Sequence, residues 1–369
     1  MSNKVADFGR TIDKLISGEE LSRAATREAF SQILQAEQTE MHQGALLAGI
    51  TAKGPSPREL AGAWQAIFEL DTVKVTPRTE RPLLDNCGTG MDGFKTFNIS
   101  TAAALVGVAG GVPMARHGAR GITSGCGTVD LCEALGVDAE CRAELVTESI
   151  EACGIGLFNG MSQTVHPQAL FRVLSRMQFG SILNIVASLA NPVAPEYGVR
   201  GVYDKDLVRP VIQTMKEIGF KRALVFHGAS GNGHKGIDEL SPVDTNLSAE
   251  LSEDGSIREF RISPQELGIN KDAQLEEIAS GASVQEEALR LARIVTGRDQ
   301  GTLYETVCLN AAPIFYISGA VSSLEQGMEK SRELIDSGRV LDKLSQWVES
   351  QNRDPRAGAA RLKTLLESV

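Results

Sequence analysis

The chain has 369 residues, of which 42% are hydrophobic and 23% charged, enough to bury a sizeable core in one large and one smaller domain. Its formal net charge of −10 disfavours nucleic-acid binding through phosphate neutralisation. The absence of an apolar N-terminal signal, an apolar stretch no longer than residues 102–115, and six cysteines without CxxC or zinc spacing predict a cytoplasmic protein without a membrane partner.

The N-terminal part of the chain predicts helices. Apolar residues recur at helical spacing over residues 21–34, and a second helix is expected at about residues 40–53. Ser56-Pro57-Arg58-Glu59 is typical of a helix start, with a capping serine, a proline in the first turn and a glutamate three residues after the cap. We therefore expect a small N-terminal helical domain over residues 1–78.

From residue 83 onward, short apolar runs alternate with glycine loops and helical segments, which favours an α/β layer. The pattern predicts a helix over residues 100–109, a short strand over 112–115, a loop over 116–128 and a buried strand over 222–226. Amphipathic helices at 285–295, 302–312, 323–337 and 340–350 would cover the sheet. We expect a larger α/β domain over residues 79–369 with a central sheet covered by helices.

The segment DNCGTGMDGFKTFNIST, residues 85–101, has the composition of a phosphate-binding loop. Glycines let a backbone approach a phosphate closely and turn its N–H groups inward, and the helix that starts near Ser100 would direct its N-terminus at the anion. The segment matches neither the Walker A pattern nor the GxGxxG dinucleotide pattern. We interpret it as a binding site for a phosphorylated small molecule.

A second polar segment, RHGARGITSGCGT, covers residues 116–128. Two arginines, a histidine and several hydroxyls suit a diphosphate or a sugar 5-phosphate. Asp238-Glu239 follows a third glycine-rich loop, residues 228–236, and adjacent carboxylates can hold Mg²⁺ that bridges substrate phosphates. Taken alone, this acidic pair would be interpreted as a solvated turn, and the third loop fits a phosphate cradle and a mobile loop equally well.

Together these segments resemble the anthranilate phosphoribosyltransferase family. That family carries a GTGGDG…TFNIST loop, a KHGNR…SS loop, a His-Pro helix, a Leu-x-Asn-Pro turn, a Gly-Val-Tyr strand end and an Asp-Glu pair. Here they are GTGMDGFKTFNIST, RHGARGITSGCGT, Val165-His166-Pro167, Leu189-Ala190-Asn191-Pro192, Gly201-Val202-Tyr203 and Asp238-Glu239. Six ordered motifs, and a likeness that extends over about residues 15–350, argue against chance similarity.

The resemblance implies a fold of the nucleoside phosphorylase/phosphoribosyltransferase type, with helices around residues 165–192 joining the small domain, and a homodimer formed through the helices. It implies phosphoribosyl pyrophosphate as donor, anthranilate as the expected acceptor, Mg²⁺ as the metal, and a place in tryptophan biosynthesis. No acid or base is assigned, because an aromatic amine needs little general-base help.

The resemblance also implies site residues in this chain. Donor contacts would fall on Gly88, Thr89, Gly90, Met91, Asp92, Gly93, Thr96, Asn98, Ile99, Ser100, Thr101, Arg116, His117, Gly118, Arg120, Thr123, Ser124 and Thr128. Acceptor contacts would fall on Gly88, His117, Ala119 and Arg176, and the metal would be held at Ser100, Asp238 and Glu239.

The chain departs from the family pattern at several of these positions. Met91 replaces a glycine, Arg116 replaces a lysine, Ala119 replaces an asparagine and Gly125-Cys126 replaces a Lys-Ser pair. The family arginine that holds the acceptor carboxylate aligns with Arg176 when counted forward from His166-Pro167. Counted back from Asn184 it aligns with Leu174 or Ser175, and we favour Arg176 because an anionic acceptor needs a cation.

Three alternatives stay open at this point. A paralogue could phosphoribosylate a different aromatic or heterocyclic acceptor, because the donor motifs match the family better than the acceptor motifs do. A pyrimidine-nucleoside-phosphorylase-like enzyme would share the architecture. A non-catalytic binding protein, even one for nucleic acid, is disfavoured by the acidic charge and by the retained Asp238-Glu239 pair.

Overall fold

The structure, a computed structural model, describes residues 2–121, 125–177, 179–230 and 236–369. These residues form fifteen α-helices and seven strands, with short 3-10 turns at Lys205–Leu207 and Leu275–Ile278. The helices are α1 (Ser2–Ile16), α2 (Arg23–Leu34), α3 (Glu40–Lys53), α4 (Pro57–Asp71), α5 (Ile99–Ala109), α6 (Thr128–Leu135), α7 (Ala143–Cys153), α8 (Leu170–Arg176), α9 (Ile182–Leu189), α10 (Val208–Glu217), α11 (Val284–Val295), α12 (Thr302–Ile317), α13 (Leu324–Asp336), α14 (Arg339–Ser350) and α15 (Pro355–Glu367). The strands are β1 (Leu84–Cys87), β2 (Met114–Gly118), β3 (Ile155–Asn159), β4 (Tyr197–Gly201), β5 (Arg222–His227), β6 (Asn246–Leu251) and β7 (Ile257–Ile262).

Helix α4 begins with the predicted capping box. The Glu59 N–H donates to Ser56 Oγ at 3.4 Å, and the Ser56 N–H donates to Glu59 Oε2 at 2.8 Å. The same carboxylate accepts from the Leu21 N–H at 2.9 Å and from Lys53 Nζ at 2.8 Å. Glu59 therefore also fixes the start of α2 and the end of α3 against α4.

The N-terminal helices do not pack alone. Helices α1–α4 share one hydrophobic core with α8, α9, α10 and one face of the sheet around β5. Asp71, at the end of α4, accepts from the backbone N–H groups of Gln168, Ala169 and Leu170 at 2.6–3.0 Å, and so caps the start of α8. A small helical unit on a larger α/β unit confirms the predicted fold class.

The seven strands form one sheet in the order β3-β2-β1-β4-β5-β6-β7. The first five are parallel, and β6 and β7 are antiparallel to their neighbours. Strand order reverses at β1, since β2 and β3 lie on one side and β4 and β5 on the other. A crevice at such a switch point, beyond the carboxyl ends of the strands, is where ligands bind in open α/β sheets.

The second large core lies between the other face of the sheet and α5, α6, α11, α12 and α14. Helix α12 continues through Pro313 to Ile317, five residues beyond the predicted end. Strand β2 extends to Gly118, whereas the sequence predicted that the strand ends at residue 115 and a loop starts at Arg116. That prediction was wrong for residues 116–118, because the Arg116 side chain is buried and hydrogen-bonded within the site.

Candidate active site

The carboxyl ends of β1 and β4 meet the Asp238-Glu239 pair. Gly201, the last residue of β4, has no room for a Cβ because the backbone of Asp238 lies against it. A Cβ at Gly88, just after β1, would overlap the Asp238 carboxylate. Glycine at both positions therefore lets two strand ends close around one acidic side chain.

The predicted phosphate loop wraps around Asp238. The Gly90 N–H donates to Asp238 Oδ2 at 2.5 Å, and the Thr89 hydroxyl lies 3.5 Å from the same oxygen. Gly90 has a φ of +71°, a left-handed conformation that costs glycine little. Thr89 Oγ1 also accepts from the Tyr203 N–H at 3.3 Å, which ties the loop to the segment after β4.

The first turn of α5 faces Glu239. The Ser100 N–H donates to Glu239 Oε1 at 3.1 Å, and the Ser100 hydroxyl makes a short hydrogen bond to the same oxygen. Helix N-termini carry unpaired N–H groups and a positive partial charge, so they bind anions. In this structure a protein carboxylate takes that place.

Three carboxylates meet in this crevice, and the charge of Asp238 acts on the pKa of the other two. Burial, and then the charge of Asp238, raise the pKa of Asp92 to about 9. Burial and the same neighbouring charge raise the pKa of Glu239 to about 8. A divalent cation would relieve this repulsion, so Asp238, Glu239 and the Ser100 hydroxyl fit a Mg²⁺ site.

The protein alone supplies few metal ligands. Within the described ranges, no group of three or more His, Cys, Asp or Glu side chains is arranged to hold a metal ion. Mg²⁺ in phosphate-binding enzymes is characteristically bound by one or two carboxylates, waters and substrate phosphates. The donor set therefore fits a metal that arrives with a phosphorylated substrate.

Arg116 lies in the sheet and is only 2% exposed. Its Nη1 donates to Thr101 Oγ1 at 2.7 Å, and its Nε and Nη2 each donate to an oxygen of Asn86 at 3.2 Å. A buried guanidinium is tolerated when its donors are paired, which is why this polar segment can be a strand. Arg116 thus supports β1 and α5 from beneath, next to the predicted donor site.

His117 and His166 form a buried pair. Their Nε2 atoms are 3.1 Å apart, and His166 Nδ1 donates to the Asp71 carbonyl at 2.6 Å. Burial lowers the pKa of His117 well below its usual value, with a further contribution from His166, and burial also lowers the pKa of His166. Both imidazoles are therefore neutral at pH 7, and His117 offers hydrogen bonds rather than charge.

The segment after β2 is closed by Asp130. Asp130 Oδ2 accepts from the Gly121 and Gly127 N–H groups at 2.8 and 2.9 Å. Arg120 is bound by Asp130, Glu133 and Glu140 at 2.7–3.1 Å, so the structure does not bring its guanidinium to the α5 side of the crevice. Gly118 packs directly on Thr128, the first residue of α6.

Some predicted residues fall outside the described ranges. Thr123 and Ser124 do so, as does most of the third glycine loop, residues 231–235. Cys126, which lies within those ranges, has a thiol pKa raised to about 12, first by burial and then by Glu287, so it stays protonated.

The predicted acceptor residues Arg176 and Ala119 contact other parts of the protein in this structure. Arg176, at the end of α8, forms an ion pair with Glu40 at the surface, and 59% of its side chain is exposed. The Met91 side chain lies over Gly180, where Met91 Sδ is 3.2 Å from the position that a Cβ would take. Ala119 follows β2, and its carbonyl accepts from the Val129 N–H at 3.2 Å.

The remaining donor-loop residues contact a segment that the sequence did not indicate. Thr96 pairs with Ala279 in an isolated bridge, and Gly93 lies in the bend before it. Ile99 is buried at the start of α5. The Asn98 N–H and Nδ2 donate to Glu287 on α11 at 3.1 and 3.3 Å. The sequence did not indicate a role for Glu287, Asn86 or Asp130, because no local pattern distinguishes them from surface residues.

Two family models match the chain. Residues 80–341 match the model of the glycosyl transferase family a/b domain, and residues 10–70 match that of the glycosyl transferase family helical bundle domain. Among the described helices, none is long and apolar enough to cross a membrane.

Several relatives are anthranilate phosphoribosyltransferases. That of Myxococcus xanthus is 34% identical over 338 residues, covering 92% of this chain and 97% of its own. That of Methanosarcina acetivorans is 37% identical over 340 residues, covering 91% and 88%. The structure of the Thermus thermophilus enzyme matches with a TM-score of 0.81 at 31% identity, over 92% of this chain and 98% of that one. The Saccharomyces cerevisiae enzyme in complex with phosphoribosyl pyrophosphate and Mg²⁺ shares the fold, with a TM-score of 0.80 at 22% identity over 94% and 98%.

Proposed function

The chain belongs to the anthranilate phosphoribosyltransferase family, and we propose that it transfers the phosphoribosyl group of phosphoribosyl pyrophosphate to the amine of anthranilate with Mg²⁺. That it is a phosphoribosyltransferase follows from the family. To this class of enzyme our proposal adds the identity of the acceptor and the requirement for a metal ion. The reaction serves tryptophan biosynthesis.

One observation carries the proposal: the first turn of α5 and the Asp238-Glu239 pair meet at the switch point of the sheet. Ser100 supplies an N–H and a hydroxyl, and Gly90 supplies a further N–H from the loop. In the structure these donors bind protein carboxylates. A diphosphate would offer the same acceptor chemistry, with the carboxylates turned to the metal instead.

The transfer itself exchanges one bond for another. The amine nitrogen of the acceptor bonds to the ribosyl C1, the C1–oxygen bond to diphosphate breaks, and diphosphate leaves with the electron pair while the amine loses a proton. Because C1 develops positive character, stabilisation of the departing diphosphate is the largest contribution that we expect from the protein. The N–H groups of Gly90 and α5 already point into the crevice, so they can supply it once the carboxylates of Asp238 and Glu239 turn to the metal.

Bound Mg²⁺ would neutralise charge on the diphosphate, and Ser100, Asp238 and Glu239 would hold it. Positioning of the acceptor supplies much of the remaining acceleration. We assign the neutral His117 to the amine end of the acceptor and Arg176 to its carboxylate. Arg176 must then leave Glu40, which its exposed position allows.

We also propose the domain division and the assembly. The boundary lies near residue 78, with α8 and α9 joining the helical domain through their shared core. The exposed large hydrophobic side chains of the described chain all lie on α1, α3, α8 or the link after α8, and they are Val5, Ile16, Met41, Phe171 and Phe179. We assign this surface to a homodimer, testable by sedimentation. None of the six cysteines, all within the described ranges, forms a disulfide, which suits a cytoplasmic location.

Initial rates with phosphoribosyl pyrophosphate, Mg²⁺ and anthranilate test the proposal. We expect a kcat/KM of at least about 10⁴ M⁻¹s⁻¹, in the ordinary range of enzymes. A value a hundredfold lower, with faster transfer to another aromatic or heterocyclic amine, would favour the paralogue. Phosphorolysis of thymidine or uridine would instead indicate a nucleoside phosphorylase.

A further inference from the structure

Glu287 is a fully buried carboxylate that joins α11 to the start of α5. Its Oε2 accepts from the backbone N–H and from Nδ2 of Asn98, at 3.1 and 3.3 Å. Its Oε1 accepts from the Gly281 N–H at 2.5 Å and from the Ser280 hydroxyl at 3.3 Å. Four hydrogen-bond donors thus fill the acceptor capacity of one carboxylate that is itself fully buried, and Arg290 Nη1 lies 3.9 Å from its Oε1.

Two glutamates therefore hold the first turn of α5, and they differ in kind. Glu239 accepts from Ser100, and the same carboxylate is a candidate metal ligand that a bound donor would draw away. Glu287 accepts from Asn98, two residues before Ser100. Its other oxygen accepts from Ser280 and Gly281. Because charged hydrogen bonds in a buried site are strong, this second anchor persists when Ser100 is released.

Asn98 extends the anchor across the crevice. Its Nδ2 also lies 3.4 Å from the Cys126 carbonyl, at the end of the segment that follows β2. Thr96, two residues earlier, pairs with Ala279. Glu287 thereby sets the relative position of α5, residues 279–281 and the end of the second polar loop, the parts that would surround the donor.

We propose that Glu287 is a positioning residue for the donor: it fixes Asn98 and the N-terminus of α5 so that the anion site exists before the donor binds. The inference rests on the proposed function, because it assumes that phosphoribosyl pyrophosphate occupies this crevice. Preorganised donors bind an anion without spending binding energy on ordering them. Loss of Glu287 should therefore weaken donor binding far more than acceptor binding.

The variant E287A tests this, with E286A as its matched control. Glu286 is the preceding residue of α11, is exposed, and accepts from the Ala282 N–H at 2.8 Å without contacting α5. In E287A we expect the KM for phosphoribosyl pyrophosphate and its calorimetric Kd with Mg²⁺ to rise at least about tenfold. The KM for anthranilate should change less than about threefold, and E286A should match the wild type within about twofold.

Two milder variants carry the test if E287A does not fold. Glutamine has one acceptor oxygen, so E287Q can serve Asn98 or residues 280–281 but not both, and S280A removes one bond to Oε1 alone. We expect a rise in the donor KM of about threefold to tenfold for E287Q and a smaller one for S280A.

Unchanged donor binding in the folded variants, or equal changes in both KM values, would overturn the inference. Failure of the proposed function is distinguishable, because it would show in the wild-type protein, as no transfer to anthranilate. If that protein still binds phosphoribosyl pyrophosphate, the calorimetric Kd continues to test Glu287, and if it does not, the donor itself is wrong.

Discussion

The two halves of the crevice are built to different degrees. We define the donor half as residues 88–101 with Asp238, Glu239 and Glu287. The acceptor half is His117, Ala119, Arg176 and Gly180, with the buried ion pair of Asp85 and Arg200, whose guanidinium charge contributes to the lowered pKa of His117. In the donor half, backbone N–H groups of Gly90, Asn98 and Ser100 each donate to a carboxylate. Among the described residues of the acceptor half, no backbone N–H group donates to a carboxylate in this way.

Buried polar atoms show the difference. Across the described ranges, five buried side-chain atoms lack a hydrogen-bond partner, and three of them are His117 Nδ1, Asp85 Oδ1 and Arg200 Nε. The side chains of Arg200 and Asp85 are both 1% exposed and lie 3.1 Å apart, on the neighbouring strands β4 and β1. Unpaired buried polar groups are costly, so these three atoms mark the acceptor half as the less completely hydrogen-bonded of the two.

The two halves differ in how far this chain can depart from its relatives. A diphosphate with its metal requires N–H donors and carboxylates from any protein that binds it, so the chemistry of the ligand constrains the donor half. The acceptor half carries the departure at Ala119 and an arginine that pairs with Glu40, and the donor-half departure Met91 lies against it, over Gly180. Variants that act on one half only can sharpen or break this comparison.

The largest effect should come from the metal-binding carboxylate of the donor half. E239Q keeps the shape of the side chain but removes the charge that would hold Mg²⁺, so we expect kcat/KM to fall about 10²–10³-fold. Initial rates at several Mg²⁺ concentrations measure it. The control is D244N, at an exposed loop position nearby. A fall in kcat/KM smaller than about threefold would show that Glu239 does not hold the metal.

A smaller but selective effect should follow from Arg176. R176Q should lower kcat/KM for anthranilate by about 10–10²-fold while leaving the KM for phosphoribosyl pyrophosphate within about twofold, because it removes a cation for the acceptor carboxylate. E40Q, which frees Arg176 from its ion pair, should lower the KM for anthranilate by about twofold to threefold.

The control for this pair is R172Q, on the same helix. Arg172 donates to the Ile33 carbonyl at 2.9 Å and to Gln43 at 3.4 Å, so its loss affects the helical packing rather than the acceptor. If R176Q behaves like R172Q, another residue holds the acceptor carboxylate and the alignment from His166-Pro167 is wrong.

Met91 should change selectivity more than rate. M91G removes the side chain that lies over Gly180, opening space between the donor loop and the link after α8. We expect the ratio of kcat/KM for a methyl-substituted anthranilate to that for anthranilate to rise about tenfold, the size of effect that small volume changes in a pocket produce. The same ratio in M91L, which keeps the bulk, should stay near the wild-type value.

The sequence predicted those features that local chemistry determines. The capping box of α4 and the glycine loop before α5 depend on residues within a few positions of one another, and both lie where expected. Arg116 was predicted in a loop because its partners, Asn86 and Thr101, come from other elements. Glu286 and Glu287 are adjacent acids in one first turn, and only tertiary packing buries one and exposes the other.

The smallest effect is a pH-dependent stability difference at Asp92. Burial and the charge of Asp238 raise its pKa from 3.8 to about 9, so the folded protein holds this proton more tightly than the unfolded chain. Its contribution to the free energy of unfolding is therefore neutral below the unfolded pKa. It becomes increasingly unfavourable as pH rises between about 4 and 9.

D92N removes this titration, so in metal-free buffer its Tm should exceed that of the wild type at pH 8 by at least about 3 °C, and by less at pH 6. Glu239 titrates in the same direction in both proteins, so the difference between the two melting curves isolates Asp92. Adding Mg²⁺ with phosphoribosyl pyrophosphate should reduce the difference, because the bound cation offsets the repulsion that only the wild type carries. A Tm difference that does not vary with pH would mean that Asp92 is ionised throughout, and that the donor half is less closed than its hydrogen bonds indicate.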